Sequence, residues 1–436
     1  MTASIRLPSS IDVAVIGAGA AGLAAGRRLA AAGVDCVVLE ARDRIGGRAH
    51  TVERDGFGLD MGCGWLHSAD ANPLVGLAQA ARFTVDDTPP PWQQQAFDLG
   101  LSRAEQAQLG EAFEAFGARV AEAAAAGQDR PASDLFVAGE RWNGLIDAIS
   151  GALNGATFAE VSTLDYDAYA DTGANLRVVE GYGTLVAALG HAVPVVLNAP
   201  VSRIDRRGPV IKIETARGMI EAKAVILTLP TSVLAGEAVR FDPPLPDLIE
   251  AAAGAPLGLA SKLHMTVDGA EDFPIDSQLW GRTDTAQTGG YHLRPFGRPM
   301  IEAYFGGDLA WGLEVGGEAA FLDFAASELS DLLGSSFRRR IRPVATSLWG
   351  ADVFARGAYS HVLPGQGDPD SGARARLARP VEDRIFVAGE ATSKAFYGTA
   401  HGAWAEGERA AVEAIVALGV DPRLSSVPED DGDRGG

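Results

Sequence analysis

Cysteine is nearly missing from this 436-residue sequence, which has two, Cys36 and Cys63, and no CxxC spacing. Two thiols are too few for a disulfide framework and offer no thiolate metal site, so a reducing compartment is expected and no metal. Positive charge is also short. Lys and Arg number 37 against 57 Asp and Glu, a formal net charge of −20 with a pI near 4.8. That balance excludes a nucleic-acid partner, because nucleic-acid binders gather basic side chains on one face. It would draw cationic small molecules toward the surface, although acidic charge more commonly serves solubility alone. Long apolar runs are lacking too: nothing approaches the roughly 20 uninterrupted apolar residues of a membrane span, and Met1 to Ser10 has no signal-peptide core. The expectation is a soluble, cytoplasmic protein that does not associate with membranes. No fixed-period repeat is present.

What is present begins with length, since 436 residues exceed what one hydrophobic core organises and two or more intertwined domains are expected. Ile11 to Ile16 is apolar and β-branched, the pattern of a buried parallel strand. Glycines follow at once; Ala20 to Ala32 then has helical composition, closed by Gly33, and Cys36 to Glu40 reads as a second strand. From about Asn72 to Asp171 the pattern changes to Ala/Glu/Gln/Leu stretches such as Ser102 to Ala126, which predicts a helical insertion. Val195 to Thr228 returns to short β-rich runs, Phe241 to Trp349 mixes strands and helices, and Arg384 to Ala388 predicts one more buried strand. Residues 425–436, rich in Pro, Asp and Gly, are expected to be disordered.

Gly17-Ala18-Gly19-Ala20-Ala21-Gly22 is a GxGxxG pattern lying between a strand and a helix. In that setting Gly17 permits the tight turn, Gly19 lets backbone approach a pyrophosphate, and Gly22 allows close helix packing. The helix N-terminus adds unpaired N–H groups and a positive dipole end. Glu40, closing the second strand, suits a ribose hydroxyl and would repel a 2′-phosphate, which disfavours NADP. Beyond it, Arg42, Arg44 and Arg48 surround the pair Gly46-Gly47. Arginines there can grip phosphate and ribityl oxygens while the glycines let backbone come close to a ligand, which favours FAD over NAD.

These residues resemble the flavin amine oxidase family, which includes monoamine oxidases, polyamine oxidases and the amine-oxidase domain of histone lysine demethylases. The resemblance rests on Glu40 with Arg44, Gly46, Gly47 and Arg48, and on Ala388-Gly389-Glu390-Ala391-Thr392 followed by Gly398-Thr399-Ala400-His401-Gly402-Ala403. It implies FAD, held in part by Gly389, Glu390, Thr399 and Ala400, with Val201 at the adenine end. Gly62-Cys63-Gly64-Trp65-Leu66-His67 is similar to the polyamine-oxidase version of its region, placing Gly64 and Trp65 beside the cofactor and His67 beside a substrate amine. Lys262 matches the lysine that holds a water at flavin N5, and burial there is expected to depress its pKa. Trp349 and Tyr359 fit as well, with Tyr359 as an aromatic wall of the amine site. The partner ring is replaced by Thr399, for which Phe396, Tyr397 or Trp404 could substitute. Ala358 stands where monoamine oxidases carry the cysteine that bonds to flavin, so a non-covalent cofactor is implied.

The expected fold is therefore α/β: a discontinuous, doubly wound FAD-binding domain of the Rossmann type from residues 1–75, 176–240 and 350–424. An interleaved α+β substrate domain would come from 76–175 and 241–349. The expected chemistry is oxidation of a primary or secondary amine or polyamine by hydride transfer to flavin, with O2 or another acceptor taking the electrons, in a monomer or homodimer. An amino-acid oxidase is the nearest alternative and needs an arginine for the substrate carboxylate, with Arg282, Arg294 and Arg356 available. A desaturase acting on carbon–carbon bonds would not need Lys262, Tyr359 and His67 together, and a non-catalytic FAD scaffold would have no use for Lys262. Asp165, Asp167 and Asp171 are a candidate subsite for a distal ammonium.

Overall fold

The computed structural model describes residues 5–93 and 95–422, so the expected disorder of 425–436 lies outside the described residues. Strand Ser10–Ile16 runs inside an eight-stranded sheet, pairing in parallel with Cys36–Leu39 on one side and Gly218–Leu227 on the other. Val195–Val196 continues the sheet past Cys36–Leu39, and Ile385–Val387 pairs in parallel with the end of Gly218–Leu227. The start of that long strand instead forms a hairpin with Ile211–Thr215, which leads out to Val201–Asp205 and Arg240–Asp242.

Strands covered on both faces need apolar side chains at every position, and here successive residues feed two different cores. Val13, Val15 and Val38 pack on one face, while Ala14, Ile16, Val37 and Leu39 pack on the other. Helices Ala20–Ala31 and Ala400–Ala417 lie together on the first face, close enough that a Cβ added at Gly407 would sit 2.0 Å from the Ala21 carbonyl oxygen. The fold is α/β, as the alternation of buried strands and helices implies.

A second sheet is antiparallel, in the order Ser277–Trp280, Gly290–Leu293, Met300–Gly306, Ala260–Val267 and Ile341–Thr346. Leu263, Met265, Ile301, Ala303 and Phe305 form a core with Phe321, Ala325 and Leu329 of helix Gly317–Leu333. The alternate residues of the same strands face the other way, pairing Lys262 with Tyr304 and His264 with Glu302. The inserted helices Arg103–Ala125 and Asn143–Asn154 share a smaller core around Phe116, Leu145 and Phe158. Ser102 and Glu105 close the first of these helices in a reciprocal capping box.

Phe241, Leu245, Leu248, Ala251, Ala252 and Ala255 all pack in the core of the large sheet, where helix Pro246–Ala253 covers a face that would otherwise meet water. The core of the large sheet therefore draws on residues as far as Ala255 in this part of the chain.

Candidate functional site

One cavity of about 1430 Å³ runs from the ends of the parallel strands to the polar face of the second sheet. That exceeds an ordinary small-ligand pocket and leaves room for a dinucleotide and a substrate together. At its first end Gly17 has φ +105, a value that favours glycine, and a Cβ added there would lie 2.7 Å from Thr228 Oγ1. Gly22 does not line the cavity. Its added Cβ would be 1.8 Å from the Gly17 carbonyl oxygen, so it packs the helix against the turn. The loop is braced by Glu40, whose carboxylate accepts from the backbone N–H of Ala18 at 2.7 Å and of Arg42 at 2.9 Å. The Gly46 N–H donates to Ala18 O at 2.7 Å, holding the Gly46-Gly47 turn against the fingerprint.

The three arginines divide their work. Arg42 lines the cavity, but its guanidinium is paired with Asp352 at 2.7 Å. Arg44 does not line it and donates to the Gly47 carbonyl at 2.9 Å, closing the loop from behind. Arg48 lines the cavity and bonds both Ala358 O at 2.6 Å and Glu390 Oε1 at 3.0 Å. Glu390 also accepts from Ser360 Oγ at 2.6 Å and from the Gly398 N–H at 2.9 Å. Burial alone would raise its pKa, but Arg48, Arg374 and these hydrogen bonds outweigh burial and hold it below the usual carboxylate range. The carboxylate thus fixes the turn that ends at Thr399, the N-cap of helix Ala400–Ala417, whose Oγ1 accepts from the Gly402 N–H at 3.0 Å. Gly389, Thr399, Ala400, Val201, Trp349, Gly64 and Trp65 all line the same cavity, and Trp349 Nε1 is anchored on Met61 O at 2.8 Å. Two helix N-termini, at Ala20 and Ala400, open onto one cavity behind glycine turns, a donor set that fits the phosphates and the electron-accepting ring of FAD. Ala358 leaves no thiol at that wall; the Cys63 thiol lines the cavity but burial, then Asp60, pushes it up to about 12.

At the other end Lys262, 5% exposed, points from the second sheet into the cavity and pairs with Glu302 Oε1 at 3.0 Å. The expectation of a depressed lysine pKa is corrected here. Burial is the largest single influence and acts to lower it, but the attractions of Glu302, Asp60 and Tyr304 with the Glu302 hydrogen bond together outweigh it and the net shift is upward. Glu302 shows the mirror image: burial would raise it, yet Lys262, followed by smaller contributions from its neighbours, brings it down to about 2. His264 lies 3.8 Å from Glu302 but burial, helped by Lys262, lowers its pKa, so it faces the carboxylate as a neutral ring. Asp60, which accepts from Thr51 Oγ1 at 2.5 Å and from the amides of Tyr182 and Gly183, is the second carboxylate acting on Lys262.

Tyr359 lines the cavity beside this pair, its hydroxyl 3.0 Å from that of Tyr304 and also donating to Ala152 O. Tyr304 and Tyr397 supply the rings expected near Tyr359; Phe396 and Trp404 do not line the cavity, and Phe396 packs 4.8 Å from the His401 ring instead. His67 lines the cavity with Nδ1 2.6 Å from Asn175 Oδ1. Since Asn175 Nδ2 donates to Gly173 O, Oδ1 is the acceptor and Nε2 of His67 is left as the acceptor nitrogen. Burial lowers the His67 pKa, so the ring is neutral near pH 7.

The acidic subsite loses its first member. Asp165 is buried and held in two bonds by Arg374, at 2.6 and 2.9 Å, whereas Asp167 and Asp171 line the cavity from exposed positions. None of the three arginines considered for a carboxylate faces Lys262: Arg282 is exposed beside Asp284, Arg294 donates to Phe273 O, and Arg356 lines the end near Phe354. Among the described residues no group of three or more His, Cys, Asp or Glu could hold a metal ion.

Glu302, Tyr304, Asp60 and Asn175 went unnoticed in the sequence. Glu302 did carry a signal, being the one charge in the alternating run Met300-Ile301-Glu302-Ala303-Tyr304-Phe305. The others become partners only through long-range register.

Compared with known proteins, the chain matches the model of the flavin containing amine oxidoreductases over residues 20–116 and 82–415. Polyamine oxidase 4 of Oryza sativa subsp. japonica is 29% identical over 92% of this chain and 88% of its own length. Polyamine oxidase 2 of Arabidopsis thaliana is likewise 29% identical, over 92% and 87%. Among solved structures, the cyclohexylamine oxidase of Brevibacterium oxydans superposes with a TM-score of 0.73 at 20% identity, covering 94% of this chain and 100% of that one. A putrescine oxidase bound to putrescine gives 0.73 at 20% identity, over 93% and 99%.

Proposed function

Because the chain belongs to the family of flavin containing amine oxidoreductases and is an FAD-dependent amine oxidase, we propose that Lys262, Tyr359 and His67 form its reaction chamber. The substrate is a primary or secondary amine, polyamines included. A non-covalently bound FAD would supply the hydride acceptor for the carbon bearing the nitrogen, with O2, reduced to hydrogen peroxide, or another acceptor as the final oxidant. The resulting imine leaves and hydrolyses.

The residues of this chain supply orientation and charge. The observation that carries the reading is the buried Lys262–Glu302 pair, which fixes an ammonium at 3.0 Å from its carboxylate on a cavity wall next to two tyrosines. A buried ammonium held in that way positions a water or a polar substrate atom through its remaining N–H groups. Neutral His67 offers an acceptor nitrogen to the N–H of a substrate amine, and the tyrosine rings exclude water from the reacting carbon. Cofactor contacts are assigned to Gly17, Gly19, Glu40, Arg42, Arg48, Gly46, Gly47, Gly64, Trp65, Val201, Trp349, Gly389, Glu390, Thr399 and Ala400, with Gly22 and Arg44 shaping the loop behind them. Thr399 is assigned to the substrate side as well. The chamber lies between a cofactor domain from 1–75, 176–240 and 350–424, extended by 241–255, and a substrate domain from the rest. The two cysteines, both free, support a cytoplasmic enzyme; among the described residues no helix is long and apolar enough to cross a membrane.

Anaerobic titration of the purified protein with amines and L-amino acids tests this reading. Bleaching of the flavin absorbance by amines supports it, and bleaching by amino acids alone replaces it with the amino-acid oxidase. Reoxidation in air far slower than turnover with an artificial acceptor would make the enzyme a dehydrogenase.

A further inference from the structure

The walls of the cavity beyond Tyr359 differ in kind from those around Lys262. Helix Arg103–Ala125 turns Leu109, Gly110, Phe113, Gly117 and Val120 toward the cavity, spacings of three and four that define one helical face. Helix Asn143–Asn154 adds Ile149, Ala152 and the half-exposed Leu153, Trp280 and Leu101 line the same part, and Gln106 contributes the one polar side chain of the first helix. None of these side chains carries a charge. The arm opens directly from the reaction chamber, since the Ala152 carbonyl accepts from the hydroxyl of Tyr359.

Gly110 and Gly117 sharpen the picture. Glycine weakens a helix interior, yet two sit on the cavity face, and a Cβ added at either would meet no atom within 4 Å. Partly buried Gly117 leaves open volume inside the arm, and Gly110 leaves it at a solvent-exposed position, where larger side chains would protrude. The buried carboxylates of the cavity are already engaged: Glu302 is paired with Lys262 and Glu390 with Arg48, while Glu40 braces backbone amides. Asp167 and Asp171 are exposed, where water weakens any hold on an ammonium.

We propose that this arm receives an uncharged alkyl or aryl substituent of the amine, so that the preferred substrate is an apolar monoamine and not a polyamine. The inference rests on the amine-oxidase reading above and narrows its substrate class. A second ammonium drawn into the arm would lose its hydration with no buried carboxylate free to replace it, Asp167 beside the arm being exposed and screened by water. Each methylene of an alkyl chain would instead leave water for an apolar wall.

The test uses the full-length FAD-loaded protein, with linear monoamines from propylamine to octylamine and α,ω-diamines of matched length. Binding is measured by anaerobic calorimetry, and flavin reduction is followed in parallel. Monoamine affinity is expected to rise about fourfold per methylene until the arm is full, with matched diamines more than tenfold weaker. In Gly117→Leu, and independently in Gly110→Leu, the preference for octylamine over propylamine is expected to fall by about tenfold, with FAD content reporting that the fold is intact. Affinity independent of chain length, or diamines binding as well as monoamines, overturns the proposal even where amines reduce the flavin. Steep chain-length dependence without flavin reduction leaves the arm standing and removes the amine-oxidase reading, absence of binding by every monoamine while diamines bind overturns the arm alone, and absence of binding by every amine overturns both.

Discussion

The two ends of the cavity are built from different materials. At the ends of the parallel strands the walls are backbone: glycine turns, helix N-termini, and a carboxylate, Glu40, whose visible bonds go to amides. On the second sheet the walls are side chains, displayed by the alternation of antiparallel strands and held by one another, Lys262 by Glu302 and Tyr359 by Tyr304. A backbone site has no room for an added atom at its tightest glycines, Gly17 and Gly46, while a side-chain site tolerates shape changes but no unbalanced charge. Damage at the first end should therefore release cofactor, and damage at the second should stop chemistry in a protein that stays yellow.

The largest effect is expected from Lys262→Met. It should slow anaerobic flavin reduction on the order of a hundred- to ten-thousand-fold with FAD content unchanged; a variant that reduces at the parental rate, or loses its flavin, breaks the division. Next comes Glu302→Gln, which leaves a buried ammonium without its main partner and should destabilise the fold by about 3–5 kcal/mol in a denaturant titration. Combining the two substitutions removes both charges. The double variant should regain most of the stability of the parent and none of its activity, a separation that single variants cannot show.

The same pair sets a pH window. The Glu302 pKa is brought down to about 2, so its contribution to stability is present above the ordinary carboxylate range and is lost as pH falls toward 2. The Lys262 pKa is raised from 10.5, so its contribution is complete below that value and is lost only as pH rises beyond it. Between about pH 5 and 10 the pair adds no slope. A pH profile of flavin reduction should show no Lys262 ionisation in that window, whereas Glu302→Gln, with burial less opposed, should bring a lysine step down into it.

The contrast between the two ends also explains what the sequence makes legible. Gly17, Gly19, Gly22, Gly46 and Gly47 are readable because close backbone approach demands one residue type at short, fixed spacings, and the strand before and helix after them are local patterns. Lys262 was legible only through family resemblance. Its partner Glu302 lies 40 residues away in a strand whose register no local rule reveals, and Asp60 reaches it from a third segment. The misjudged pKa followed directly: a lysine read alone in an apolar strand has only burial to shift it, and the sign reverses once two carboxylates are placed beside it. Asp165 failed for the related reason that Arg374, its partner, comes from a distant helix. Phe396 and Tyr397 are adjacent in sequence, and only the turn before helix Ala400–Ala417 decides which one lines the cavity.

Two glycines of the first βαβ unit separate cofactor binding from plain backbone cost. In Gly22→Ala the new Cβ would fall 1.8 Å from the Gly17 carbonyl oxygen, so the phosphate-facing turn must shift. An overpacking cost of about 1–3 kcal/mol placed on that turn should weaken FAD binding by roughly ten- to a hundredfold, read as flavin retained through gel filtration and as the affinity of the apoprotein for added FAD. Gly33 closes the same helix at φ +70, yet a Cβ there would meet nothing within 4 Å. Gly33→Ala should cost only the left-handed backbone penalty, about 1 kcal/mol, visible as a lower denaturation midpoint with FAD affinity unchanged. If Gly33→Ala released flavin as readily as Gly22→Ala, the binding end would be sensitive to general loosening of its scaffold, and the claim that its glycines act by direct backbone approach would fail.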